Sequence, residues 1–210
     1  NSESQIYESS LGPIEYKIRG NNGPVVLIAH GTPGGHDQTI SHTSSYRVLT
    51  PSRPGYLRTP LSVGNTPFEQ ALAFKELLDG LNIEKVIVAG ISGGGPSSME
   101  FAAAFPERTL GLIALEAVSF SENLSDEDAA GLEFSDRDTM FSLLSLHLFD
   151  DKTIAEYLLP NKNNQDRVLA DPKKIQSLKD LIWTIWPFSK RRDGFYNDYE
   201  QFSDLSLPLS

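Results

Sequence analysis

The sequence predicts an α/β fold, a mostly parallel sheet flanked by helices, with a helical insertion late in the chain. Three observations carry this expectation. Short β-branched apolar runs, Val25 to Ala29 and Lys85 to Ala89, suit strands buried on both faces of a parallel sheet. Helical patterns alternate with them, as right-handed strand–helix–strand crossovers require. After about Val118 the texture changes: acidic residues crowd from Glu122 to Asp138, and only helical patterns recur.

Taken in order, residues 1–11 read as a polar lead-in. Ile14, Tyr16 and Ile18 alternate with polar neighbours, the pattern of a half-buried strand. Asn21-Asn22-Gly23-Pro24 signals a turn before the Val25–Ala29 run. A further strand is expected at Tyr46 to Leu49, leading into Pro51-Ser52-Arg53-Pro54-Gly55-Tyr56. Thr66-Pro67-Phe68-Glu69 holds a capping residue, a first-turn proline and the glutamate of a capping box, so a helix starts there and ends near Gly80. Pro96 to Phe105 reads as a helix stopped by Pro106, and Leu110 to Leu115 as the next strand. Beyond it, helices are expected at Met140 to Phe149, at Ile154 to Leu159 and from Asp171-Pro172 through Ile185.

Composition bounds the function. The 210 residues suffice for one domain with a real core. A net charge of -10 disfavours nucleic-acid binding, which needs clustered cations. The one basic run, Lys190-Arg191-Arg192, reads as a solvated turn or helix end. The absence of cysteine excludes disulfides and thiolate-bound zinc. No apolar stretch reaches the ~18 residues of a membrane span. The first residue is Asn1, so removal of an upstream segment is expected, and no compartment is indicated.

The chemistry is written at Gly90-Ile91-Ser92-Gly93-Gly94, between a strand and a helix. So tight a turn forces its central residue into a strained backbone and exposes the Ser92 hydroxyl at the sheet's carboxyl edge. Small residues at 90 and 94 avoid collisions with the adjoining helix and strand. A second motif, His30-Gly31-Thr32-Pro33-Gly34-Gly35, follows the Val25–Ala29 run. Acyl transfer needs two N–H donors for the oxyanion, and Thr32 and Gly93 are the candidates. The alternative for both motifs is a plain glycine-rich loop, with His30 a buried, satisfied imidazole that supports it. His30, Gly31, Ile91, Trp183 and Trp186 are the candidate substrate-pocket residues.

His-Gly-x-Pro-Gly-Gly, Arg53-Pro-Gly-Tyr56, Gly-x-Ser-Gly-Gly-Gly-Pro and Phe105-Pro106-Glu107-Arg108 together resemble the α/β-hydrolase superfamily, and within it the esterase, lactonase and proline-iminopeptidase-like members with a helical cap. The resemblance covers 14–118 and returns at Arg191 to Asp198. It implies residues 1–118 as the N-terminal part of the core, 119–200 as a helical cap and 201–210 as a return toward the core. It also implies that the last strands and helix, with the catalytic acid and histidine, lie beyond Ser210. At ~30 residues per strand–helix unit, about 60 residues of the family pattern would follow.

Serine needs a base to take its proton. Of four histidines only His147 follows Ser92, amid apolar neighbours where a structural role is the alternative. Glu116, after the Leu110–Leu115 strand, is either an acid or a satisfied strand-end carboxylate. His36 and Asp37 either contact ligand or merely exit the loop. Arg53 either braces a loop beneath the site or binds a substrate carboxylate. Trp183, Trp186, Phe188, Phe195, Tyr196 and Tyr199 either line an acyl pocket or pack the cap. The acidic run either selects cationic substrates or is a solvated loop.

The expectation is a serine acyl hydrolase of small molecules, of carboxylic-ester type, needing no cofactor or metal. Its partner would be a C-terminal fragment or second chain carrying the acid and histidine. An aminopeptidase of proline-iminopeptidase type and a non-catalytic ligand-binding homologue stand as alternatives. A chain lacking its last strands would expose a sheet edge, so pairing with the missing part or with itself is expected.

Overall fold

A computed structural model describes residues 4–38, 45–121, 135–146 and 148–205. The chain divides into two compact units, 1–132 with 190–210, and 133–189. The helical unit is narrower than the expected 119–200, because residues from Lys190 onward belong to the first unit.

The first unit is built on a six-stranded mixed sheet: β1 (Gln5–Ser9), β2 (Gly12–Arg19), β3 (Val25–Ala29), β4 (Arg47–Pro51), β5 (Val86–Ile91) and β6 (Thr109–Leu115). Their spatial order is β1-β2-β4-β3-β5-β6. Strands β1, β2 and β4 pair antiparallel, whereas β4, β3, β5 and β6 run parallel. The lead-in expected at 1–11 is therefore partly a strand. Alternation there is weak because β1 is a short edge strand, yet Tyr7 opposite Ile14 packs on the core.

Strand β3 is buried throughout, as its unbroken apolar run requires. Helix α1 (Pro67–Gly80) starts at the expected capping box, with the Thr66 hydroxyl accepting from Glu69 N–H and the Glu69 carboxylate from Thr66 N–H. Its Phe74, Leu77 and Leu78 join Leu27, Leu49, Val88 and Phe101 in one core. Helix α2 (Gly95–Ala104) contributes Phe101 and packs against α1 and β5. Val26, Ile28, Val48 and Ala89 form the core on the sheet's other face. Helix α7 (Arg192–Ser203), whose sequence gave no apolar signal beyond its aromatics, also belongs to this unit.

The second unit holds α3 (Asp136–Leu146), α4 (Asp151–Leu158), α5 (Lys162–Leu169) and α6 (Pro172–Trp183). Helix α5 is polar along most of its length and was not anticipated. Asn161 caps it by accepting from the N–H groups of Asn163 and Asn164. Ile154, Ala155 and Ile175 form the buried centre of this unit. Among the described residues, no helix is long and apolar enough to cross a membrane.

Candidate active site

Strand order decides where a site forms. From β3 the chain passes to β4 on one side, and later to β5 on the other. Ligands of open α/β sheets bind at such a switch point, beyond the strands' carboxyl ends. Ala29 pairs with Gly90, so the two strands end level and release His30-Gly31-Thr32 beside Ile91-Ser92-Gly93. A Cβ on Gly31 would lie 3.4 Å from Ser92 Cβ.

Ser92 has a φ of 48°, in the left-handed region that a serine occupies at a cost. The surrounding glycines explain how so sharp a turn fits. A Cβ on Gly90 would fall 2.1 Å from Ser98 Oγ of α2, and one on Gly94 would fall 2.1 Å from the Ala29 carbonyl oxygen of β3. Val118 N–H closes on the Ser92 carbonyl at 3.0 Å. Ser92 is half-buried. Among the described residues, no side chain hydrogen-bonds its hydroxyl.

His30 is fully buried. Its Nε2 accepts from Arg53 N–H at 2.9 Å, so the proton sits on Nδ1, which donates to the Gly31 carbonyl at 2.8 Å. Burial, reinforced by the charge of Arg53, holds its pKa well below the ordinary histidine value, and the bond to Gly31 does not offset this. A neutral imidazole with both nitrogens engaged braces the loop. His36 is buried too, with Nδ1 against Ser52 Oγ at 3.2 Å and Glu15 at 3.3 Å. His42 and His147 lie outside the described residues.

Thr32 is locked by its hydroxyl, which donates to Asp198 of α7 and accepts from Arg53 Nη2 at 3.1 Å. Arg53 is buried and spends its guanidinium internally, with Nε on the His30 carbonyl at 3.0 Å, Nη1 on Gln70 at 3.2 Å and both terminal nitrogens on Asp198. Of the two roles expected for Arg53, bracing is the one these contacts provide. Tyr56 completes the cluster by donating to Asp198 at 2.5 Å.

The basic run 190–192 is not simply a solvated turn. Arg191 is 1% exposed, with Nη1 on the Gly34 carbonyl at 2.5 Å and Nη2 on Asp37 at 2.7 Å. The Asp37 carboxylate thereby meets Arg191 as it exits the loop. Glu116 is exposed and, like Ser92, has a φ of 48°. Ile91 packs at the end of β5 against the Val26–Ile28 core. Trp183 and Trp186 belong to the helical unit, where Trp183 shares a small apolar pocket with Leu143, Leu146, Ile154, Lys179 and Ile182. Of the aromatics expected to act together, Phe195, Tyr196 and Tyr199 cluster on α7. The role of Asp198 escaped sequence reasoning, although its motif did not: an isolated aspartate in an aromatic helix gives no sign of its partners, which lie 142 to 166 positions away.

The sequence model of the family described as alpha/beta hydrolase fold matches residues 24–149. The chain is 36% identical over 121 residues to an uncharacterized hydrolase, YcgS, of Bacillus subtilis (strain 168), covering 56% of this chain and 42% of that protein. It is 29% identical over 117 residues to haloalkane dehalogenase 2 of Mycobacterium tuberculosis (strain ATCC 25618 / H37Rv), covering 53% and 41%. An alpha/beta hydrolase fold protein from Nakamurella multipartita superposes with a TM-score of 0.81 at 29% identity, over 98% of this chain and 76% of that one. The chain thus spans less than half the length of these two curated relatives.

Proposed function

The chain belongs to the α/β-hydrolase fold family, and we propose that it carries the nucleophile of a serine-dependent hydrolase that cleaves an ester-like or amide-like acyl bond in a small molecule. The observation that carries this reading is the φ of 48° at Ser92, in a strand-to-helix turn beside Gly31 and Thr32. A serine kept in that conformation, with a hydroxyl that no described side chain binds, is poised to attack rather than to cap.

In this reading Ser92 Oγ adds to the carbonyl carbon and gives its proton to a base. The Thr32 and Gly93 N–H groups donate to the negative charge that develops on the carbonyl oxygen. Collapse expels the alcohol or amine, which takes up the proton, and water then releases the acid and restores Ser92. His30 has both ring nitrogens engaged and His36 is buried with its Nδ1 held by Ser52 and Glu15, so this reading takes the base from outside the described residues. A C-terminal segment carrying both the acid and the histidine, on the natural chain or a second one, is the source this reading favours.

The resemblance to a dehalogenase does not extend to its chemistry. Displacing a halide from an alkyl carbon needs a carboxylate nucleophile that forms an alkyl ester, and position 92 is a serine.

Intact-mass spectrometry before and after a fluorophosphonate probe tests the proposal on the natural protein. Probe mass on this chain, lost in Ser92→Ala, supports it, and a companion fragment would identify the source of the base. Failure of the wild type to label would leave a non-catalytic binding protein as the better reading. Aryl esters compared with proline anilides then separate an esterase from an aminopeptidase.

A further inference from the structure

We propose that α7 is the positioning element of the oxyanion site and that Asp198, through the Thr32 hydroxyl, sets the place of the Thr32 N–H. The inference rests on the hydrolase reading above. It assigns a part to a helix that contains neither the nucleophile nor an oxyanion donor.

One face of α7 meets both halves of the site. Asp198 and Phe202 are four residues apart, hence neighbours on the helix surface. Asp198 takes the Thr32 hydroxyl. Phe202 comes so near the turn after the nucleophile that a Cβ on Gly93 would lie 3.0 Å from Phe202 Cζ and 2.0 Å from Thr32 Oγ1. Thr32 is thus wedged between Gly93 and Asp198. Just before the helix, Arg191 holds the same loop at Gly34 and Asp37. The 30–38 loop is therefore pinned at three points, Thr32, Gly34 and Asp37, by residues 191–198.

The hydroxyl of Thr32 is committed to Asp198 and Arg53, so it is not free to meet an oxyanion, and its function is to fix the backbone that bears the amide. Asp198 is suited to this because Arg53 neutralises it through two bonds, which keeps a bare negative charge away from the place where one develops. An oxyanion donor is effective only when held in place before the reaction, and a misplacement of ~1 Å can cost about 100-fold.

The test uses the natural protein and reads the fluorophosphonate labelling rate of Ser92, kcat and KM for an aryl ester, and thermal melting. Thr32→Val keeps the amide and the side-chain volume but loses the hydroxyl, whereas Thr32→Ser keeps the hydroxyl. Thr32→Val is expected to lower labelling and kcat about 10- to 100-fold with KM within twofold, and Thr32→Ser to stay within a fewfold of wild type. In labelling rate and kcat, Asp198→Asn should add little to Thr32→Val when the two are combined, since Asp198 acts on the site through the Thr32 hydroxyl, while the loss of its bonds to Arg53 and Tyr56 is read separately in thermal melting. Should Asp198→Asn not fold, the Thr32 pair decides alone. Wild-type rates in Thr32→Val, or a loss confined to KM, would overturn the proposal while leaving the hydrolase reading intact. An unlabelled wild type would overturn both.

Discussion

Arg53 and Asp198, 145 positions apart in the chain, close a buried ion pair through bonds of 2.8 and 2.5 Å. Each is at most 2% exposed. Burying two charges is costly, and what offsets it here is the completeness of the bonding. Arg53 also reaches His30 and Gln70, Asp198 also accepts from Thr32 and Tyr56, and the guanidinium carbon stands 4.9 Å from the Tyr56 ring centre. Arg53→Met should destabilise the first unit by about 3–5 kcal/mol, because Asp198 is left buried and uncompensated. Arg53→Lys should recover only part of this, since an ammonium cannot serve His30, Gln70 and Asp198 at once. Urea unfolding midpoints check both.

Acid should weaken this unit in two steps. Burial first, and then Arg53, hold the His30 pKa well below 6.5, so the unfolded chain binds a proton there that the native one refuses. The contribution of His30 is present above about pH 6.5 and is lost as pH falls beneath it, by up to ~1.4 kcal/mol per pH unit. Glu15 follows at lower pH. Its burial favours the neutral acid, yet bonds from His36, Arg58 and Ser4 outweigh that and hold its pKa well below the ordinary glutamate value of 4.5. Its contribution is present above 4.5 and fades as pH falls further. Urea midpoints from pH 8 to 4 should therefore drop below pH 6.5 and steepen below 4.5. His30→Gln should flatten the first step and Glu15→Gln the second.

Two glycines of the first unit, Gly94 in the turn after β5 and Gly111 in β6, should respond oppositely to alanine. At Gly94 the added Cβ would sit 2.1 Å from the backbone oxygen of Ala29, which cannot move without disturbing β3. Gly94→Ala should cost about 3 kcal/mol, the upper end for overpacking, and abolish labelling of Ser92. At Gly111 of β6, nothing among the described residues lies within 4 Å of the added atom. Gly111→Ala should be stabilising by about 0.5–1 kcal/mol through the unfolded state alone. Melting curves of the two variants, measured side by side, are the check.

The parts of this molecule that were legible in its sequence are those whose signal is local. The β3 run, the Thr66–Glu69 capping box and the glycine-serine turn each depend on residues within a few positions of one another, and each formed where expected. Strand β1 was missed because it is a five-residue edge strand with no buried residue, too short and too exposed to write an alternating apolar face. Helix α5 was missed because its caps, rather than its apolar face, define it. Arg191 was misread for a different reason. A cation in a basic run looks solvated until its partners at 34 and 37 are known, and they are brought near only by the fold. Asp198 failed to show itself on the same ground.

The left-handed backbone of Ser92 makes a separable prediction about stability and activity. A non-glycine residue there costs ~1–2 kcal/mol, while glycine costs ~0.5–1 kcal/mol in unfolded-state entropy. Ser92→Gly should therefore be more stable than Ser92→Ala by about 1 kcal/mol, since alanine retains the strain, and both should be inert to the probe. Glu116 has the same φ of 48° at an exposed position, so Glu116→Gly should gain a similar amount. Labelling then divides the two readings of Glu116. A variant that gains stability and still reacts at the wild-type rate leaves Glu116 a strand-end carboxylate without a part in the chemistry, whereas a gain in stability with labelling lost would make it the acid of the site.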